Sequence, residues 1–201
     1  MNRLNKGFTL MELLIVIGVL GILAAGLLAA IDPFEQLKKA RDTNNRNAAT
    51  EFLQASQRYY ATHGYLPWYK PGASAGTYDA NCLDTRWDAL RPTTPSTSYP
   101  RPALKVAVDL ASTDGIITCI SNTLTSDGEI KATFFSGLKT PIYVMSGSPT
   151  STAVCFAPEG KSNLSDPQTK YAYDSTNLTI KAPGNCTATD LSGGNCLQCF
   201  E

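Results

Sequence analysis

A single histidine, His63, serves all 201 residues of the chain. A Ser-His-Asp relay or a histidine-based metal centre therefore has one member at most, and that member sits where a helix is expected to stop. The Gly-x4-Gly-Lys-Ser/Thr phosphate loop and a dinucleotide fingerprint are both lacking. Charge is also scarce: Asp, Glu, Lys and Arg make up 17% of residues and balance, 17 acidic against 17 basic, to a net charge of zero. Nothing in that balance points to nucleic acid. The acid pair Asp127 and Glu129, separated by Gly128, reads as a turn rather than as paired catalytic carboxylates. No enzyme is expected, and no cofactor.

The shortage of charge is concentrated in one place. From Phe8 to Ile31 the chain runs 24 residues with one charge, Glu12, and Arg3 and Lys6 stand just before the run. At about 1.5 Å per helical residue such a run reaches about 36 Å, enough to cross a hydrocarbon core of about 30 Å. The two cations place the N-terminus on the cytoplasmic side and the bulk of the chain outside. A conventional secretory signal is the competing reading, with Ala24, Ala25, Ala29 and Ala30 available for a small-residue cleavage site. Three features oppose it. The apolar run is too long for a signal core, an acid interrupts its start, and the helical pattern outlasts it. Beyond Asp32-Pro33, apolar or small positions recur at Phe34, Leu37, Arg41 (through its aliphatic stem), Ala48, Phe52, Ala55 and Tyr59, close to a 3.6-residue period. Pro33 either kinks one long helix or opens a second.

Glu12 is the informative residue. A carboxylate inside a membrane helix is costly and usually marks a function. A cut between Gly7 and Phe8 would create a cation four residues away, the new α-amine of Phe8. The pair can form within one chain. Between staggered helices it would cancel both charges and fix their axial register.

The string Lys6-Gly7-Phe8-Thr9-Leu10-Met11-Glu12-Leu13-Leu14-Ile15-Val16-Ile17 resembles the N-terminus of type IV pilins and type II secretion pseudopilins. The resemblance covers about residues 1 to 65. It implies that a prepilin peptidase cuts after Gly7 and that the Phe8 amine is then methylated. Glu12 is implied to pair with a neighbouring Phe8 amine during assembly at an inner-membrane platform. Partners would be other copies of the chain and other pilins, joined through this helix, and Gly18, Gly21, Gly26 and Pro33 would loosen it. The family's proline normally lies earlier than Pro33. A second, weaker likeness is Tyr59-Tyr60-Ala61-Thr62-His63-Gly64-Tyr65-Leu66-Pro67, similar to the segment that ends the long pilin helix. Gly64 in a left-handed cap and Pro67 beyond it make a stop near Thr62 credible on physical grounds alone. The leading function is a pilin or minor pilin of a filament serving adhesion, motility or DNA uptake. A secretion pseudopilin is the alternative, and a single-span adhesin that never polymerises is another of a different class.

The expected architecture is α+β: a long N-terminal helix packed on a C-terminal antiparallel sheet. Its segments are a leader (1–7), a membrane and assembly helix (8–31), an amphipathic continuation (32–62), a connector (63–103) and a sheet domain (104–201). Trp68 and Trp87 would anchor the connector, which holds a short possible helix at Leu83 to Arg91. Strands are expected at Leu104 to Leu110, Gly115 to Ile120, Ile130 to Phe135, Pro141 to Met145, Ala153 to Ala157, Tyr171 to Tyr173 and Leu178 to Ala182. Asp174 to Asn177 would turn the last two into a hairpin. All six cysteines, Cys82, Cys119, Cys155, Cys186, Cys196 and Cys199, follow the apolar run. An even count in the exported part suggests disulfides, with fifteen possible pairings. Cys82–Cys119 and a bond from the tail to Cys155 are preferred, with the tail a stapled loop. Its Cys196-x2-Cys199 spacing also suits zinc, which would draw on Cys155 and Cys186. Asp166, Asp174 and Asp190 are candidate calcium ligands without a recognised spacing. Asn163, Asn177 and Asn185 each open an Asn-x-Ser/Thr triplet.

Overall fold

A computed structural model describes residues 7–30, 32–69, 99, 101–106, 115–148, 150–177, 179–184 and 186–201. The chain forms two compact units, residues 1–37 and 38–201. The first contains helix α1, Leu10–Ala30. Its 21 residues span about 32 Å. Leu10–Leu28 is the one stretch among the described residues long and apolar enough to cross a membrane, and none of it is buried within the chain. Arg3 and Lys6 lie outside the described residues.

Helix α2 runs Pro33–His63. Pro33 is its first residue, where a missing N–H costs nothing. Asp32 Oδ1 accepts from the N–H groups of Phe34 and Glu35, at 3.2 Å each, and so caps the new helix. The helix ends as the sequence requires: Gly64 takes φ +79° and its N–H closes on Tyr60 O at 2.7 Å. Trp68, just beyond, is almost fully buried. Trp87, Cys82 and the possible helix at 83–91 lie outside the described residues.

The second unit is built on six strands: β1 Arg101–Val106, β2 Ile142–Ser148, β3 Ser151–Phe156, β4 Thr169–Asp174, β5 Thr179–Ile180 and β6 Cys196–Phe200. All pairings are antiparallel, in the order β1-β2-β3-β6-β4-β5, and β5 returns to β1 so that the sheet closes on itself. Alternation along the strands divides the interior in two. Leu104, Val106, Ile142, Val144 and Val154 pack with Ala49, Phe52, Leu53, Ala55 and Tyr59 of α2. Their neighbours Ala103, Tyr143, Met145, Ala153 and Cys155 turn the other way and meet Tyr173, Ile180, Leu197 and Cys199 in a second cluster. Sequence reading anticipated the first core and not the second. Closure of the sheet creates it, and closure depends on pairings far apart in the chain.

Three expectations need correction. Gly115–Ile120 is a helix (α3), continued by a π-helical turn at Ser121–Thr125. The segment expected as a strand at 130–135 is a turn leading into helix α4, Phe134–Gly137. Both runs are rich in β-branched or aromatic residues, but the core positions include Ile117, Ile120 and Leu124, then Ile130, Phe134 and Leu138, with Cys119 and Phe135 packed beside them. Those spacings of three and four are helical, and short apolar runs do not distinguish the two periods on composition. The Cys-rich tail, expected as a loop, ends in β6, which lies between β3 and β4. Both faces of β6 are covered: Leu197 and Gln198 are each buried, so no polar alternation marks it as a strand. Two further short helices, α5 Lys161–Leu164 and α6 Ala188–Ser192, occupy the loops before β4 and β6.

Candidate assembly site at the N-terminal helix

Phe8 stands at the start of α1 with 86% of its surface exposed. Thr9 and Glu12 close the first turn on each other. Glu12 N–H donates to Thr9 Oγ1 (3.2 Å), while the Thr9 N–H and hydroxyl both donate to Glu12 Oε2 (2.9 Å each). This is a reciprocal capping box, and the Thr-x-x-Glu spacing that announces one is present in the sequence. Sequence reading weighed Glu12 only against the Phe8 amine and missed Thr9 as its partner. Because both donations fall on Oε2, the box leaves Oε1 to a further donor. Gly18, Gly21 and Gly26 line the same helix, and a Cβ at any of them would meet nothing within 4 Å. Packing inside the chain therefore does not require glycine there. Small residues at these positions let another helix backbone approach closely.

The remaining candidates of the outer unit are scattered. His63 stacks on Tyr59, with centroids 4.0 Å apart, and its Nε2 lies 3.3 Å from Asp127 Oδ2. Glu129 pairs with Arg58 at 2.6 Å, so the two acids flanking Gly128 face different side chains rather than one site. Each aspartate proposed for calcium has a local use. Asp166 Oδ1 accepts from Gln168 N–H. Asp174 holds the β4–β5 turn, and the Asn177 side-chain amide followed by its N–H keeps that carboxyl below its usual range. Asp190 forms a capping box with Thr187, whose hydroxyl, then N–H, lowers its pKa in the same way. No group of three or more His, Cys, Asp or Glu side chains among the described residues is placed to hold a metal. The Asn163 amide donates to buried Asp42 Oδ2 at 2.7 Å. Asn185 lies outside the described residues.

The cysteines of the tail are joined as Cys155–Cys199 and Cys186–Cys196. Cys155 and Cys199 face each other across the β3–β6 ladder. Residues 196 and 199 are three apart on one strand and so project to opposite faces, which sends the two thiols to different partners. The four sulfurs considered for zinc are consumed in these two bonds. Cys119 is disulfide-bonded as well.

A feature that sequence reading missed altogether is Asp42. Its carboxylate is 1% exposed and accepts from Glu159 N–H (2.8 Å), Gly160 N–H (2.9 Å) and the Asn163 amide (2.7 Å). It ties α2 to the chain that leaves β3. In sequence it is one more polar residue on a mixed helix, and only its position opposite that loop reveals it.

The prokaryotic N-terminal methylation motif matches residues 2–28. A type IV major pilin protein PilE of Neisseria gonorrhoeae is 35% identical over 92 residues, covering 43% of this chain and 50% of that protein. A type IV major pilin protein PilE1 of the same organism is 38% identical over 80 residues, 37% of this chain and 34% of the relative. A fimbrial protein of Neisseria meningitidis serogroup B is 37% identical over 82 residues, 38% and 44% respectively. The chain thus spans half or less of the length of these relatives. No solved structure gives a significant match. The relatives are named as pilins and fimbrial proteins, not as enzymes. The chain carries the prokaryotic N-terminal methylation motif, and the relatives it matches include type IV major pilins.

Proposed function

We propose that this protein is a structural subunit of a type IV pilus-like filament, cut after Gly7 and methylated on the amine of Phe8. The observation that carries the reading is the exposed apolar helix opened by Thr9 and Glu12, within a matched methylation motif. Before assembly, α1 resides in the membrane with the N-terminus cytoplasmic and the outer unit on the far side. Cleavage removes Arg3 and Lys6, leaving 15 basic residues (17 − 2) against 17 acidic. In the filament, the Phe8 amine of one subunit neutralises Glu12 of its neighbour through the carboxylate oxygen that Thr9 leaves unused. Prepilin peptidase and an inner-membrane platform are the partners this route requires.

Intact-mass measurement on protein purified from cells tests the processing. The mature chain is expected to begin at Phe8 with one added methyl group. A chain beginning near Ala25 or Ile31 would mean a conventional signal and sink the proposal.

A further inference from the structure

Most charged side chains on the outer part of α2 are already engaged: Arg41 on Glu159, Asp42 on the loop after β3, Arg46 on Gln198 and Arg58 on Glu129. One stripe is not. Asn44, Asn47 and Glu51, at i, i+3 and i+7, line an open pocket of about 290 Å³ together with Lys131, Thr133 and Phe134. The five polar side chains make no hydrogen bond or ion pair among the described residues. Two asparagines of the loops, by contrast, are engaged, Asn163 on Asp42 and Asn177 on Asp174. Asparagine is also a poor choice for an exposed helix interior, and neither Asn44 nor Asn47 recovers that cost as a cap.

The pocket is held from beneath. Ile130, Phe134 and Leu138 are buried in the core, and Phe134 packs on Phe52 of α2 at 6.0 Å between centroids. Glu129 is pinned to α2 by Arg58, whose guanidinium also donates to the Glu129 carbonyl at 2.9 Å. The segment that presents Lys131 and Thr133 is therefore fixed against the helix that presents the two asparagines.

We infer that this pocket is a binding site for a neutral saccharide, one or two pyranose rings in size. Its inventory is one carboxylate, one ammonium, two carboxamides and a hydroxyl, which sums to no net charge. A phosphate or sulfate would meet Glu51, and a divalent cation would meet Lys131. Vicinal hydroxyls need donors and acceptors side by side, which a carboxamide supplies from one planar group and the Glu–Lys pair from two. Ala48 is the half-buried apolar side chain at the pocket, and the exposed edges of Phe134 and Leu138 beside it give the C–H face of a ring a small contact. The volume sits at the lower end for small-molecule sites, which suits a ligand of this size.

The test uses the full chain in a non-glycosidic detergent, because alkyl glycosides carry the proposed ligand. Saturation-transfer NMR would be run against a panel of glucose, galactose, N-acetylglucosamine, N-acetylgalactosamine and their common disaccharides. At least one is expected to bind with Kd on the order of 1 mM, weakened about tenfold by Asn47→Ala and by Glu51→Gln. Lys105→Ala, on an exposed position of β1, should leave binding unchanged. Absence of binding at about 10 mM sugar, or binding indifferent to both substitutions, overturns the proposal. So does a preference confined to phosphorylated or sulfated sugars. A photoreactive cross-linker attached at Glu51→Cys that captures a second copy within filaments would make the pocket a subunit contact and overturn it equally.

Discussion

Replacing Asp42 by alanine should be among the most damaging single changes in the outer unit. Three donors converge on a carboxylate that is 1% exposed, two of them backbone N–H groups. A hydrogen bond to a charged group contributes about 1.5–3 kcal/mol, and a buried donor left unsatisfied costs about 1–3 kcal/mol. These contributions overlap, so their sum is not the answer. The expected loss for Asp42→Ala is about 3 kcal/mol, the upper end of those ranges, because more than one donor is left without its acceptor. It is a large share of a total stability of about 5–15 kcal/mol. Asp42→Asn keeps one carbonyl acceptor but aims an NH2 group at a donor, and should fall between alanine and wild type. The neighbouring Arg41–Glu159 pair provides the control. It is also a link between α2 and the same loop, at 2.7 Å, but its side chains are 46% and 34% exposed. Arg41→Ala should therefore cost about 0–1 kcal/mol. Denaturant unfolding of the full chain in micelles, followed by the fluorescence of buried Trp68, measures all three. If Asp42→Ala costs no more than Arg41→Ala, the claim that the carboxylate holds the loop to the helix is wrong.

Two other consequences can be measured on the same preparation. The Cys155–Cys199 bond spans 44 residues and Cys186–Cys196 only 10. On loop entropy alone they stabilise by about 4 and about 3 kcal/mol, so Cys155→Ala/Cys199→Ala should lower the unfolding midpoint more than Cys186→Ala/Cys196→Ala. The reverse order would assign the dominant role to native packing around α6. Tyr99 is pushed up to about 12, first by burial and then by its hydrogen bond to Tyr171. A phenol whose folded pKa is raised contributes stability that is complete below pH 10 and lost as the pH climbs from 10 through 12. Absorbance titration at alkaline pH should contain a late phenolate component that Tyr99→Phe removes. The variant should also flatten the decline in stability between pH 10 and 12. A titration unchanged by Tyr99→Phe would refute the assignment.

How much of this was legible in the sequence depends on the range over which each feature is decided. The α1 span, the α2 start at Pro33 and its stop at Gly64 are set by residues within a turn of each other; sequence reading left Pro33 open between a kink and a start, and expected the stop near Thr62. The β4–β5 turn, fixed by Asp174 and Asn177, is equally local. Ile117 to Leu124 and Ile130 to Leu138 were misread because their hydrophobicity was visible while the face they bury was not. Strand β6 was misread for the opposite reason. Cys196, Leu197, Gln198 and Cys199 are all buried, and a fully covered five-residue strand has no alternation to detect. Gln198 belongs in that interior because Arg46 donates to its carbonyl oxygen at 3.0 Å across 152 residues of chain. Asp42 shares that character, since its partners lie 117 to 121 residues away. Long-range polar partnerships of this kind leave no spacing in the sequence.

The capping box changes what a mutation of Glu12 means. Glu12→Ala is the obvious test of a register role, but it removes two things together: the negative charge offered to a neighbouring amine and the acceptor that closes the first turn on Thr9. Two other substitutions separate them. Glu12→Gln keeps a side-chain oxygen for the Thr9 N–H and hydroxyl while discarding the charge. Thr9→Ala removes the hydroxyl that Glu12 N–H uses at 3.2 Å and leaves the carboxylate in place. If neutralisation of a newly formed amine drives assembly, Thr9→Ala chains should enter filaments at close to the normal level and Glu12→Gln chains should not. If helix capping is what matters, the order reverses. Neither change should alter unfolding of residues 38–201, because α1 buries none of its span within the chain. Filament yield, with the membrane pool of each variant as reference, decides the matter. Normal assembly of Glu12→Gln would remove the charge-pairing argument and leave Glu12 as the cap of its own helix.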